Sequence, residues 1–108
     1  MKLAHCIAVG FLSISPLLIA AGKPAPARVT VQMQNMQFTP ETVTIKPGDT
    51  IVWTNNDDRD HAVASADHTF DSANLSAGQT FEHVFNAAGS FAYTCKYHPR
   101  MKGTVVVK

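Results

Sequence analysis

Cys95, His98 and Met101 stand at i, i+3 and i+6 in the segment FAYTCKYHPRMKGTVVVK, and each of the three side chains can ligate a metal ion. The alternation around them places them between two strands. Phe91, Tyr93 and Cys95 share one face of a strand that ends at Cys95, and the pattern resumes near Gly103 with Val105 and Val107. A short loop fixed at both ends can fold three such side chains around one point, and Pro99 stiffens it. Three ligands from one loop leave at least one coordination position to fill. The best candidate is His61, 34 residues before Cys95, which follows the polar turn Asn55–Asp60 and begins an expected strand His61–Ser65.

Thiolate and thioether are soft donors and imidazole is borderline, so the set favours copper over Mg, Ca or Mn. Two imidazoles and a thiolate in a trigonal plane, with a weak axial Met, form the donor set of a blue-copper electron-transfer centre. Zinc binds Cys and His equally well but rarely recruits Met, and Met101 has to be explained. The other candidates read more plainly. Met33, Met36 and Trp53 are expected in or near the core. His83, between Phe81 and Phe85, is expected to be a partly buried structural histidine, and His68 to be exposed. Asp57, Asp58 and Asp60 read as a solvated turn, without the ligand pattern of a calcium loop.

The elements that must position this cluster are strands. Val29, Val31 and Met33 alternate with Thr30 and Gln32, and Val43 and Ile45 alternate with Thr42, Thr44 and Lys46. Pro47-Gly48-Asp49 supplies a turn, Ile51-Val52-Trp53 a fuller apolar run, and Gly89 another turn. No long 3.6-residue repeat interrupts them. Short strands between turn signals argue for an antiparallel β-sandwich or barrel. The chain has 108 residues, 45% hydrophobic and 16% charged, which is one packed domain rather than a disordered chain. A formal net charge of +1 excludes a whole-molecule polyelectrolyte surface for nucleic acid or anionic membrane.

The first 22 residues have the order of a secretory signal peptide: Lys2, an uncharged and mostly apolar run from Ile7 to Ala21, then small residues. That run of 15 residues is short for a membrane span, which needs about 20. The alternative is an uncleaved anchor. Cleavage after Gly22, or as late as Ala27, removes Cys6 and leaves Cys95 as the single cysteine, unable to form an internal disulfide. Residues 23–28 read as a flexible N-terminal tail, and 29–108 as the metal-binding domain.

From Val29 to Lys108 the sequence resembles the cupredoxins, the small plastocyanin-like copper proteins. The resemblance rests on Trp53-Thr54-Asn55-Asn56, His61-Ala62-Val63, Phe70-Asp71-Ser72, Gly78 with Phe81, and above all the block Tyr93 to Gly103. Only Pro99 and Arg100 separate His98 from Met101, a spacing similar to the short amicyanin loop. The resemblance implies an antiparallel Greek-key β-sandwich with one type 1 copper ion, His61, Cys95 and His98 as equatorial ligands and Met101 as the axial one. It departs from many relatives in having Ala62 after the first His and Lys96 after the Cys, which leaves the link between the ligand segments to backbone hydrogen bonds. Asp60 replaces a Pro common in relatives, and a carboxylate there would favour the oxidised ion.

The function implied is periplasmic electron shuttling through Cu(I)/Cu(II) by a monomeric, non-enzymatic carrier. The alternative is a periplasmic copper carrier or storage protein. Its partners would be redox proteins, such as a dehydrogenase and a cytochrome, with neither nucleic acid nor membrane insertion of the mature chain. His98 would be the electron port, ringed by Lys96, Arg100 and Lys102 and suited to an acidic partner surface.

Overall fold

The computed structural model describes residues 25–108, so the expected signal sequence lies outside the described residues. The regular elements are eight strands: β1 (Arg28–Gln34), β2 (Gln37–Thr39), β3 (Thr42–Ile45), β4 (Asp49–Asn55), β5 (Ala64–Ser65), β6 (Thr80–Phe85), β7 (Gly89–Thr94) and β8 (Lys102–Val107). They form two four-stranded sheets, ordered β2-β1-β4-β6 and β3-β8-β7-β5.

The sandwich is mixed rather than antiparallel. β1 pairs parallel with β4, and β3 pairs parallel with β8. Alternation determines which face a side chain takes, not the direction in which its strand runs. The chain leaves β1 through β2, crosses to the other sheet as β3, and returns as β4 beside β1 in the same direction. The expected strand His61–Ser65 is also shorter than its pattern suggests. Only Ala64–Ser65 pair as β5, while His61 makes an isolated bridge to Leu75.

Alternation correctly identifies the core. Val31, Met33 and Ile51 face Val105 and Val107 between the sheets, all nearly or fully buried. Trp53 is the centrepiece, with ring centroids 5.3 Å from Tyr93, 5.5 Å from Phe70 and 5.6 Å from Phe81. Such aromatic pairs are worth about 0.5–1.5 kcal/mol each beyond the area they bury. Burial pushes the Tyr93 hydroxyl up to about 12. Tyr93 lies opposite Gly103 in the β7–β8 register, and a Cβ on Gly103 would overlap its hydroxyl. That close approach requires glycine where the chain leaves the Cys95 loop.

Two turns are specified by particular residues. Asp49 closes the Pro47-Gly48 turn, its carboxylate accepting from the N–H of Ala27 at 2.8 Å and of Lys46 at 3.0 Å. The β1–β2 turn carries Asn35 and Met36 at φ 55° and 60°. A two-residue hairpin turn favours this left-handed geometry, which Asn tolerates and Met adopts only under constraint. Met33 lies in the core as expected, whereas Met36 is half-buried at the turn.

Candidate metal centre

β7 delivers Cys95 and β8 receives the chain after Met101, so the intervening loop starts and ends on neighbouring strands. Its backbone is closed on itself. Cys95 N–H donates to the Met101 carbonyl at 2.9 Å, and Met101 N–H donates to the His98 carbonyl at 2.8 Å. Cys95 and Met101 are both buried and His98 is half-buried.

His61 arrives from the other side. It is wholly buried, and its backbone exchanges two hydrogen bonds with Leu75, at 3.0 and 2.7 Å. His61 Nδ1 and His98 Nδ1 each lie 3.7 Å from Cys95 Sγ. The donor atoms of His61, Cys95 and His98 all fall within 4.8 Å of one another. A first-row ion takes imidazole nitrogen and thiolate sulfur at about 2.0–2.3 Å, so donors spread around one ion stand roughly 3.5–4 Å apart. The two sulfur–nitrogen spacings fit that requirement. Met101 is buried, and its backbone bonds to Cys95 and His98 hold it at the foot of the loop.

The expected backbone link between the ligand segments is present: Ala62 N–H donates to Cys95 Sγ at 3.4 Å. Lys96 turns away to Asp71 at 2.9 Å, and the Tyr97 hydroxyl donates to Asn74 at 2.9 Å. The ring of positive charge around His98 therefore differs from expectation. Lys96 is partnered, and among the described residues Arg100 and Lys102 enter no ion pair.

The acidic run also behaves differently from a uniform solvated turn. Asp57 is partly buried, and its Oδ2 lies 2.8 Å from His61 Nε2. The same carboxylate accepts from the N–H of Asn35 at 2.7 Å and of Met36 at 3.0 Å. Burial pushes the Asp57 carboxyl up, but these bonds outweigh it and hold it below the usual carboxylate range. Asp58 and Asp60 are exposed. Asn55 organises the loop from inside: its buried side chain donates to the carbonyls of Arg59 and Leu75, each at 2.9 Å, and accepts from Asp57 N–H at 2.9 Å. Sequence reading missed both roles. The available signal was a carboxylate four residues before a candidate ligand histidine, which is weak by itself.

His68 is exposed, and His83 packs against Phe70 and Phe85 at 4.9 and 4.8 Å, where burial lowers its pKa. Neither joins the cluster.

The comparisons with known proteins agree with this geometry. A cupredoxin-like domain family model matches residues 3–107. Amicyanin-alpha of Methylorubrum extorquens is 34% identical, covering 98% of both chains. Amicyanin of Paracoccus versutus is 36% identical over 82% of this chain and 70% of its own. Among solved structures, a novel purple cupredoxin from Nitrosopumilus maritimus superposes with a TM-score of 0.71 at 31% identity, over 74% of this chain and 99% of its own. This chain belongs to the cupredoxin-like family, and its His61, Cys95 and His98 cluster is compatible with a type 1 copper site.

Proposed function

We propose that the protein is a periplasmic one-electron carrier that holds a single copper ion through His61, Cys95, His98 and Met101. The observation that supports this best is the convergence of two imidazole Nδ1 atoms on one buried sulfur, each at 3.7 Å. When bound, copper supplies the couple in which Cu(II) takes up one electron to become Cu(I).

The chain's own residues make that exchange easy. Cys95 and Met101 offer the soft donors that suit Cu(I), and the imidazoles suit Cu(II). His61 is sealed inside, while His98 is half-buried beside exposed Tyr97 and Pro99. His98 is therefore the electron port. Arg100 and Lys102 give that rim its free positive charge, so the partners are redox proteins with acidic docking surfaces. His61, Cys95, His98 and Met101 would together complete the coordination of the ion and leave no position for a substrate, which fits a carrier rather than an enzyme. Removal of the first 22 to 27 residues on export leaves the metal-binding domain as the mature chain.

The test is to add Cu(II) to the purified mature chain. The expected result is an intense blue band that bleaches and returns through repeated one-electron cycles. Replacing Cys95 with Ala should abolish the band. A colourless complex that readily surrenders its ion would overturn electron transfer and support a copper carrier instead.

A further inference from the structure

One carboxylate is shared between the metal cluster and a hairpin turn. Asp57 Oδ2 contacts His61 Nε2 at 2.8 Å and accepts from Met36 N–H at 3.0 Å, while Oδ1 accepts from Asn35 N–H at 2.7 Å. Asp57 is itself held by its N–H bond to Asn55, at 2.9 Å. The His61 ring is fully buried and so meets no bulk water; its nitrogens face Asp57 on one side and Cys95 Sγ on the other. An ionised carboxylate only accepts, so Nε2 donates to it, and the same contact turns Nδ1 toward Cys95.

The turn that donates to the same carboxylate has two non-glycine residues at positive φ, 55° and 60°. Backbone in that region persists where surrounding contacts over-determine it. Asp57 supplies two such contacts.

We infer that Asp57 is a positioning residue, which fixes the His61 ring with Nδ1 toward Cys95 and makes the Asn35–Met36 turn part of the metal site. Its consequences for copper rest on the proposed function, but the state of the ring does not. A carboxylate behind a ligand histidine orients the ring and raises its basicity. Together with the nearby negative charge, this favours the oxidised ion. Asp57 thus adds a tuning carboxylate on the Nε2 side of His61 to the one that the sequence suggested at Asp60.

Nitrogen-resolved NMR of His61 in the metal-free full chain is decisive, because a bound ion would itself impose the tautomer. A slowly exchanging proton on Nε2, hydrogen-bonded to Asp57, is expected; an Nε2 that carries no proton overturns the inference. Asp57→Asn should weaken copper binding tenfold to a hundredfold in chelator competition, raise the reduction potential, and move the Asn35 and Met36 amide resonances. Asp58→Asn removes the same charge one residue away, at an exposed position, and should change none of these. Equal effects from the two variants would reduce Asp57 to a through-space charge and overturn the inference. Should Asp57→Asn not fold, the ring state of the unmodified chain still decides. Should the chain take up no copper, the proposed function fails while the metal-free spectrum still tests the ring.

Discussion

His61 and His98 approach Cys95 Sγ to the same distance, 3.7 Å, yet they are held in opposite ways. His61 is locked by buried and partly buried bonds: Leu75 on its backbone, Asp57 on its ring, and Asn55 behind both. His98 sits on a loop closed by its own backbone bonds to Cys95 and Met101, and pinned to the rest of the fold by Lys96–Asp71 and Tyr97–Asn74, contacts between exposed groups. Buried bonds are not exchanged with water and hold one geometry, whereas exposed ones are weak and screened. An electron carrier needs both. In the proposed carrier the inner ligand would keep the donor set constant through the valence change, and the outer one would meet the partner.

The sharpest way to break this comparison is Asn55→Ala. The change removes one of the two donors to the Leu75 carbonyl, which keeps His61 N–H, weakens the hold on Arg59, and frees Asp57 N–H. With about 1 kcal/mol for each of three hydrogen bonds, the metal-free chain should lose roughly 3 kcal/mol of stability. Urea unfolding with an unchanged slope measures it directly. A loss under about 1 kcal/mol would mean that the inner loop is held by packing, and the contrast between the two sides would disappear.

How much of this was legible in the sequence divides along the same line. The outer loop is local, so its spacing alone pointed to Cys95 and His98, whose sulfur and ring nitrogen lie 3.7 Å apart, and period-two alternation placed Trp53, Tyr93 and Val105 in the core. Strand direction was not legible: β1 and β4 run parallel because the chain crosses between sheets, which alternation does not record. Nor was the role of Asp57. Its partners Asn35 and Met36 lie 22 and 21 residues away and contribute backbone N–H groups, which every non-proline residue has. Asn55 looked like a turn residue because its polarity is satisfied by backbone carbonyls that only the fold brings near.

Acid should act on the outer loop through Asp71 and on the turn at the far end of β4 through Asp49, with a smaller effect. The N–H groups of Ala27 and Lys46 hold the Asp49 carboxyl below its usual range, and the N–H of Ala73, then Lys96, does the same for Asp71. A carboxylate with a folded pKa below its unfolded value binds fewer protons when folded. Its contribution is therefore complete above the unfolded value of about 4 and is lost as pH falls through the lowered one. Urea midpoints of the metal-free chain should decline gently below about pH 6.5, where His83 is kept neutral by burial, and more steeply from about pH 5 toward about pH 2 as the carboxylates protonate. A midpoint that rises on acidification would reverse the sign and remove both carboxylates from the account.

The smallest effect separates the charges around His98. Lys96 is paired with Asp71 and both side chains are about half exposed, so Lys96→Gln should cost less than about 1 kcal/mol. Its effect on electron exchange should also be slight, because the charge it removes is already offset by a carboxylate 2.9 Å away. Arg100 enters no ion pair among the described residues, and its charge is free to attract an acidic partner. Arg100→Gln should therefore slow exchange at low ionic strength and flatten its decline with added salt, more than Lys96→Gln does. Stopped-flow exchange with an acidic redox protein across a salt series distinguishes them. Equal slopes for the two variants would show that the Asp71 pairing opens on docking, which would make the outer loop softer still than its exposed contacts imply.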